Sequence, residues 1–215
     1  MSLAQIAREW ISTAVLRMRP GGLESDVVRS KANEQRSVWD DFMMQEWEEF
    51  TEWLVLLSSI NPRRGIEIGT GRGGSACMTL EVLPDLRRIV SVDVLDRSPE
   101  IPVNARTLLD RLILVQGESQ RFATRELVTR MLESKPADFL FIDGNHSYEN
   151  VAADYYFYAP LVRSGGLVAF HDIASVKLGY EHTAGVERFW NELCDREPGR
   201  CHAIGSHFGI GVLKR

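Results

Sequence analysis

The alternation that begins at residue 64 constrains this chain most. Short apolar runs at 65–68, 89–92, 112–115, 139–142 and 167–170 are separated by helical stretches near 74–83, 102–110, 120–134 and 148–163. Five β-rich runs joined by helices make parallel strands, since each crossover returns the chain to the same end of the sheet. The helices then cover both faces. The last part departs from this rule. After a helix near 184–194, strand-like runs at 202–206 and 210–213 flank His207-Phe208-Gly209, which reads as a closing antiparallel hairpin. The expected fold is α/β: a three-layer sandwich on a mostly parallel, seven-stranded sheet with a C-terminal antiparallel hairpin. Ligands belong beyond the carboxyl ends of such strands.

Two helical stretches precede the first strand. Residues 3–18 place Leu3, Ile6, Trp10, Ile11 and Val15 on one face, and Pro20 with Gly21 and Gly22 ends the helix. A second helix is expected from 38 to 60, stopped by Asn61-Pro62, with Trp39, Phe42, Trp47, Phe50, Trp53 and Leu57 on its apolar side. This stretch carries six acids and no base. It is either a solvated acidic face over an aromatic one, or a lid that walls a substrate. The division expected is 1–62 as a helical extension or lid and 63–215 as one compact core. The Trp10 stripe must bury somewhere, so a homo-oligomer through the N-terminal helices is expected.

Composition narrows the partners. A net charge of −5 without a basic tract disfavours nucleic acid, which is bound by displacing counterions with positive charge. The longest apolar run, Trp53–Leu57, is far short of the ~20 residues of a membrane helix. Charged residues interrupt the first helix, so no signal-peptide core is read there. Cys77, Cys194 and Cys201 form no CxxC pair, which suits a reducing, cytoplasmic setting with the thiols structural.

The first strand runs into Glu67-Ile-Gly69-Thr70-Gly71-Arg-Gly73-Gly74-Ser75. Glycines allow a sharp turn and close approach to a ligand, and the following helix presents its N-terminal N–H groups. The second strand ends in Asp93, 24 residues after Gly69, where a carboxylate can accept ribose hydroxyls. The pair points to an adenosine-containing cofactor. Glu67 suits a cationic amino group and would repel a pyrophosphate, which favours S-adenosylmethionine over a dinucleotide. Arg72 can meet a carboxylate of cofactor or substrate, or stand exposed in the turn.

The fourth strand ends in Asp143-Gly-Asn-His146-Ser-Tyr148-Glu149, and the fifth in Phe170-His171-Asp172. Neighbouring parallel strands bring Asp143 and Asp172 to one edge. Two converging carboxylates make a divalent-cation site, for which hard oxygen ligands suit Mg²⁺. His146 is the candidate general base, and Tyr148 stands nearest to it in sequence. His182, His202 and His207 carry no ligand spacing and are read as structural or surface residues.

The Glu67–Gly71 and Asp93 segments resemble those of the class I S-adenosylmethionine-dependent methyltransferases. The resemblance implies a Rossmann-like core in which Gly69, Thr70, Gly71 and Ser75 pass the methionine part and Asp93 holds the ribose. It also implies that Glu118, Ser119 and Gln120 line the adenine. Over roughly 64–213, the DGxHxYE run at 143–149, the 161–172 run and Gly185-Val-Glu-Arg-Phe-Trp190 narrow it further. They are similar to metal-dependent small-molecule O-methyltransferases, the group of macrolide-sugar methyltransferases and cephalosporin hydroxylase-like proteins. By that resemblance Asp143, Asp172 and the position of His171 hold Mg²⁺, and His146 takes the proton of a small-molecule acceptor hydroxyl. That group often carries an acid where this chain has His171. Imidazole is a poorer Mg²⁺ ligand than carboxylate, so the ion is softer, the site is weakened, or His171 does not touch it. Two other readings stay open: an NAD-dependent oxidoreductase, which lacks the expected Tyr-x-x-x-Lys pair, and an inactive cofactor-binding protein.

Overall fold

The computed structural model describes residues 23–205 and 207–215. The helix expected over 3–18, and with it the proposed self-association through Trp10, lies outside the described residues. Seven strands form one sheet in the order β3-β2-β1-β4-β5-β7-β6. They are β1 (Arg64–Ile68), β2 (Arg88–Asp93), β3 (Leu112–Gln116), β4 (Ala137–Ile142), β5 (Val162–His171), β6 (Cys201–Ile204) and β7 (Ile210–Lys214). The first five run parallel, and β7 pairs antiparallel with both β5 and β6. The sheet and its closing hairpin are those expected from the sequence.

Among the described residues six α-helices make the outer layers: α1 (Ser25–Trp39), α2 (Trp47–Ser58), α3 (Gly74–Val82), α4 (Phe122–Met131), α5 (Tyr148–Tyr158) and α6 (Ala184–Arg196). The central strand β4 shows why the layers differ. Every residue of it is buried, and alternate side chains leave by opposite faces. Phe139 and Phe141 enter the cluster built with α1, α2 and α3. Leu140 and Ile142 join the one built with α4, α5 and α6. On the first side Trp53 stacks on Phe141 at 5.9 Å and meets Phe139 edge-on at 6.1 Å. Each fully buried ring contributes about 3 kcal/mol by the area it removes from water. The one acid of β4, Asp138, is neutralised at the far edge by the Arg63 and Arg64 amides and by Arg163 Nε.

The helix expected from 38 to 60 is broken. α1 ends at Trp39, a 3₁₀ turn spans Asp40–Phe42, and the chain runs on through Met43 before α2 starts at Trp47. The acids mark the break. Glu48 and Glu49 fall in the first turn of α2, where the positive helix end suits them, while Asp40 and Asp41 lie in the 3₁₀ turn after α1. The acidic face is only partly solvated. Glu52 pairs with Arg29, while Glu49 is buried and accepts the His207 and Gly209 amides at 2.8 Å each. The stretch near 102–110 is a 3₁₀ helix at Val103–Leu108. No described helix is long and apolar enough to cross a membrane.

Candidate active site

β1, β2, β4 and β5 all end at one edge, and the glycine loop begins there. Gly69 turns at φ +97°, donating its amide to Val92 O at 2.8 Å. A Cβ on Gly69 would overlap the Asp143 carbonyl, so only glycine lets β1 and β4 close together at the edge. The loop is also roofed. The segment between α1 and α2 lies over it, with Arg72 Nη1 donating to Asp41 O at 2.9 Å and the Phe42 carbonyl against the Cα of Gly74.

Glu67 differs in place from the expected ligand contact. Its carboxylate is buried beneath the loop, where Ser75 Oγ and Ser91 Oγ donate to its two oxygens. Burial pushes it up to about 7 despite those hydroxyls, and it lines neither cavity at the edge. It ties α3 to β2. Thr70 Oγ1 lies 2.8 Å from Ser91 Oγ in the same network.

On one side of the loop lies a cavity of about 530 Å³. Gly69, Gly71, Asp93, Glu118, Ser119, Gln120 and Asp143 all line it. Asp93 Oδ2 accepts the Gly71 amide at 3.2 Å and faces Arg97 Nε at 3.0 Å, a cation whose place in the wall the sequence did not suggest. Glu118 pairs outward with Arg121 at 2.7 Å. Ser119 Oγ and Gln120 Nε2 turn to Asp154 Oδ1 at 2.6 and 2.8 Å. Asp154 is 1% exposed, and burial raises it to about 6 in spite of those two donors.

The second cavity, about 460 Å³, shares Gly69, Gly71, Asp143 and Gly144 with the first. Here the acids and histidines converge. His171 Nδ1 lies 3.2 Å from both Asp143 Oδ1 and Asp172 Oδ2. His146 Nε2 lies 3.2 Å from Asp172 Oδ2 and 3.7 Å from Asp143 Oδ1. Asp172 takes φ +66°, a conformation rare for a non-glycine residue and held where surroundings over-determine it. Burial works to raise Asp143, but the neighbouring His171 and His146 hold it well below the usual carboxylate range. Burial would likewise lower His171, yet Asp143 and Asp172 push it up to about 10. Asp143 also raises His146.

The donors of Asp143, His146 and Asp172 lie within 4.8 Å of one another. His146 Nε2 is buried and lacks an aligned hydrogen bond, so it stands beside the two carboxylates without being spent on either, while His171 Nδ1 reaches both. Two hard oxygens and an imidazole fit a divalent cation of the Mn²⁺ or Zn²⁺ kind better than Mg²⁺.

Two expectations about neighbouring residues are corrected. His182 lines this cavity, its ring 5.7 Å from that of His146, because the 3₁₀ turn Glu181–Thr183 folds back over the edge. Tyr148 points away, donating to Glu192 Oε2 at 2.6 Å under the Arg188 guanidinium. The remaining walls are Phe42, Met44, Tyr180 and Phe208, with Arg72 stacked on the Phe42 ring at 4.9 Å. Gln45 was not foreseen. It donates from Nε2 to Asp143 Oδ2 across 98 positions, and no local pattern in the sequence marks it.

Comparison with known proteins bears on the fold that carries this site. The family model described as a methyltransferase domain matches residues 66–173, half of the chain. An O-methyltransferase from Bacillus cereus, solved with S-adenosylhomocysteine, is 18% identical at a TM-score of 0.60 over 87% of this chain and 90% of that one. TomG from Streptomyces achromogenes, an O-methyltransferase of tomaymycin synthesis solved with S-adenosylmethionine, is 18% identical at a TM-score of 0.59, both chains being fully covered. The methyltransferase MycE of mycinamycin biosynthesis, solved with Mg, S-adenosylhomocysteine and mycinamycin VI, is 20% identical at 0.58 over 86% of this chain and 54% of that one. At such identities the likeness is one of fold. The uncharacterised protein y4gI of Sinorhizobium fredii is 29% identical over 172 residues, 76% of this chain and 18% of that protein. An uncharacterised protein of Acanthamoeba polyphaga mimivirus is 29% identical over 114 residues, half of each. The chain thus spans half or less of the length of these curated relatives. With the glycine loop, the acid-ended strands and the hairpin all inside or beside the matched region, the chain belongs to the methyltransferase-domain family.

Proposed function

We propose that the chain moves a methyl group from S-adenosylmethionine to a hydroxyl of a small molecule, with a divalent cation bound at the acid pair. One observation carries this reading: Asp143 is a common wall of two cavities, one bordered by the glycine loop and Asp93, the other by the acid and histidine cluster. A methyl donor with its adenosine in the first cavity and its methionine end reaching past the glycine loop to Ser75 would meet an acceptor in the second. The solved relatives that bind S-adenosylmethionine or its product, and MycE with Mg, support the same assignment.

When bound, the donor supplies a sulfonium methyl open to in-line displacement, and the cation supplies Lewis acidity toward the acceptor hydroxyl. The chain's residues do the rest. The Gly69–Gly71 backbone and Ser75 receive the methionine part. Asp93 accepts the ribose hydroxyls once Arg97 yields, and Glu118, Ser119 and Gln120 wall the adenine. Asp143 and Asp172 would hold the cation, with His171 Nδ1, 3.2 Å from each carboxylate, as the imidazole donor. His146, on the more open side beside His182, takes the acceptor's proton at Nε2. Phe42 and Phe208 cover the reacting groups from water, which holds them in the geometry that displacement needs.

The test is thermal stabilisation of the protein by S-adenosylmethionine, S-adenosylhomocysteine and NAD, each with Mg²⁺ and with EDTA. A ligand that binds only the folded state raises the melting temperature. A rise with both sulfur compounds and none with NAD is expected. A rise with NAD alone would overturn the reading.

A further inference from the structure

We infer that Gln45 is a ligand-binding residue, its amide oxygen accepting a hydrogen bond from the ammonium group of the methyl donor while its amide nitrogen orients Asp143. The inference rests on the function proposed above and adds to it a contact from outside the core fold.

Three observations carry it. Gln45 Nε2 donates to Asp143 Oδ2, the oxygen turned away from His146 and His171. This fixes the rotation of the carboxylate that both cavities share. Gln45 Oε1 is buried without a hydrogen-bond partner among the described residues. An acceptor removed from water and left unpaired is destabilising, so a donor belongs there. Finally, Gln45 sits on the roof of the glycine loop, with Gly69, Gly71 and Ser75 around the same cavity.

The charge of the surroundings selects the donor. Arg72 in this wall is engaged with Asp41 O and Phe42, and His146 and His171 reach the other oxygen of Asp143, Oδ1. Among the described residues this leaves Oδ2 and the Gln45 amide oxygen together without a cation. A cationic N–H donor beside Asp143 and an amide oxygen is favoured over a neutral hydroxyl, because charge-assisted bonds are roughly twice as strong. An acceptor hydroxyl is the competing occupant, and the experiment separates the two.

Binding of three adenosine thioethers is measured by calorimetry on the whole chain: S-adenosylhomocysteine, its analogue lacking the amino group, and 5′-methylthioadenosine, which lacks the amino-acid part. Gln45→Met, close in shape, is expected to weaken S-adenosylhomocysteine by about 10- to 100-fold, the equivalent of one bond to a charged group. The other two are expected to bind the variant and the unaltered protein alike, which also reports that the variant's site is folded. Gln45→Glu keeps the acceptor and is expected to bind S-adenosylhomocysteine more tightly than Gln45→Met. Unchanged S-adenosylhomocysteine affinity in Gln45→Met would overturn the inference, as the acceptor-hydroxyl alternative requires. Equal weakening of all three thioethers would overturn it too, leaving Gln45 a part of the roof alone. If the unaltered protein binds none of them, the proposed function itself falls.

Discussion

Asp154 offers a test in which one atom is exchanged and the sign follows from pH. Its side chain is buried, and Ser119 Oγ and Gln120 Nε2 both donate to Oδ1. Asp154→Asn keeps that oxygen and both bonds while removing the buried charge. Burial raises the native carboxyl to about 6, against ~3.9 for an unfolded Asp. Below pH 4 both states carry the proton, and the two proteins differ little. Above it the unfolded chain releases its proton first, so the native state loses ground until pH passes 6, then stays level. Two pH units at about 1.4 kcal/mol each set the loss near 3 kcal/mol. The amide nitrogen that replaces Oδ2 needs a partner of its own, a cost of about 1 kcal/mol at the low end for an unpaired polar group, which leaves a gain of about 2 kcal/mol. Urea unfolding of both proteins at pH 4.5 and pH 8 reads the difference directly. The variant should be the more stable at pH 8, with an advantage that shrinks below about 1 kcal/mol at pH 4.5. Equal stability differences at the two pH values, or a variant weaker at pH 8, would refute the account of Asp154 as a buried charge.

Three further outcomes are expected. Glu49→Ala strips the acceptor from two amides at the tip of the hairpin, so urea unfolding should show a loss of about 3 kcal/mol. An unchanged midpoint would mean that the hairpin does not depend on it. Gly69→Ala places a Cβ against the Asp143 carbonyl at a positive φ; it should cost at least ~2 kcal/mol and abolish S-adenosylhomocysteine binding in calorimetry. Methyl transfer, once an acceptor is found, should fall in EDTA and recover better with Mn²⁺ than with Mg²⁺, since an imidazole joins the two carboxylates. Full activity in EDTA would exclude a role for the cation.

The strands were legible because their apolar runs are short, dense and set at crossover spacing. α1 was not, since only Val28, Ala32 and Trp39 of its residues are buried and the rest is polar. Helical periodicity needs an apolar face to be seen. The chemistry at strand ends was also readable: Asp93, Asp143, His171 and Asp172 occupy positions that a parallel sheet must bring to one edge. What failed was direction. Glu67 and Tyr148 lie beside the site in sequence yet spend their polar atoms on Ser75, Ser91 and Glu192. Gln45, Asp154 and His182 serve the cavities from segments whose composition gives no sign of it. Gln45 depends on a bend between two helices, and Asp154 hides in a helix rich in tyrosine.

The shared wall at Asp143 divides what can change in this protein from what cannot. A substitution there alters the seats of both reactants together, so neither preference can be retuned through it. Met44 and Tyr180 form part of the wall of the second cavity alone and are exposed. With the function proposed above, variation at that rim would change the acceptor's surroundings and leave the first cavity untouched. On that proposal, the layout would let one methyl-transferring frame be refitted to new acceptors, one rim residue at a time.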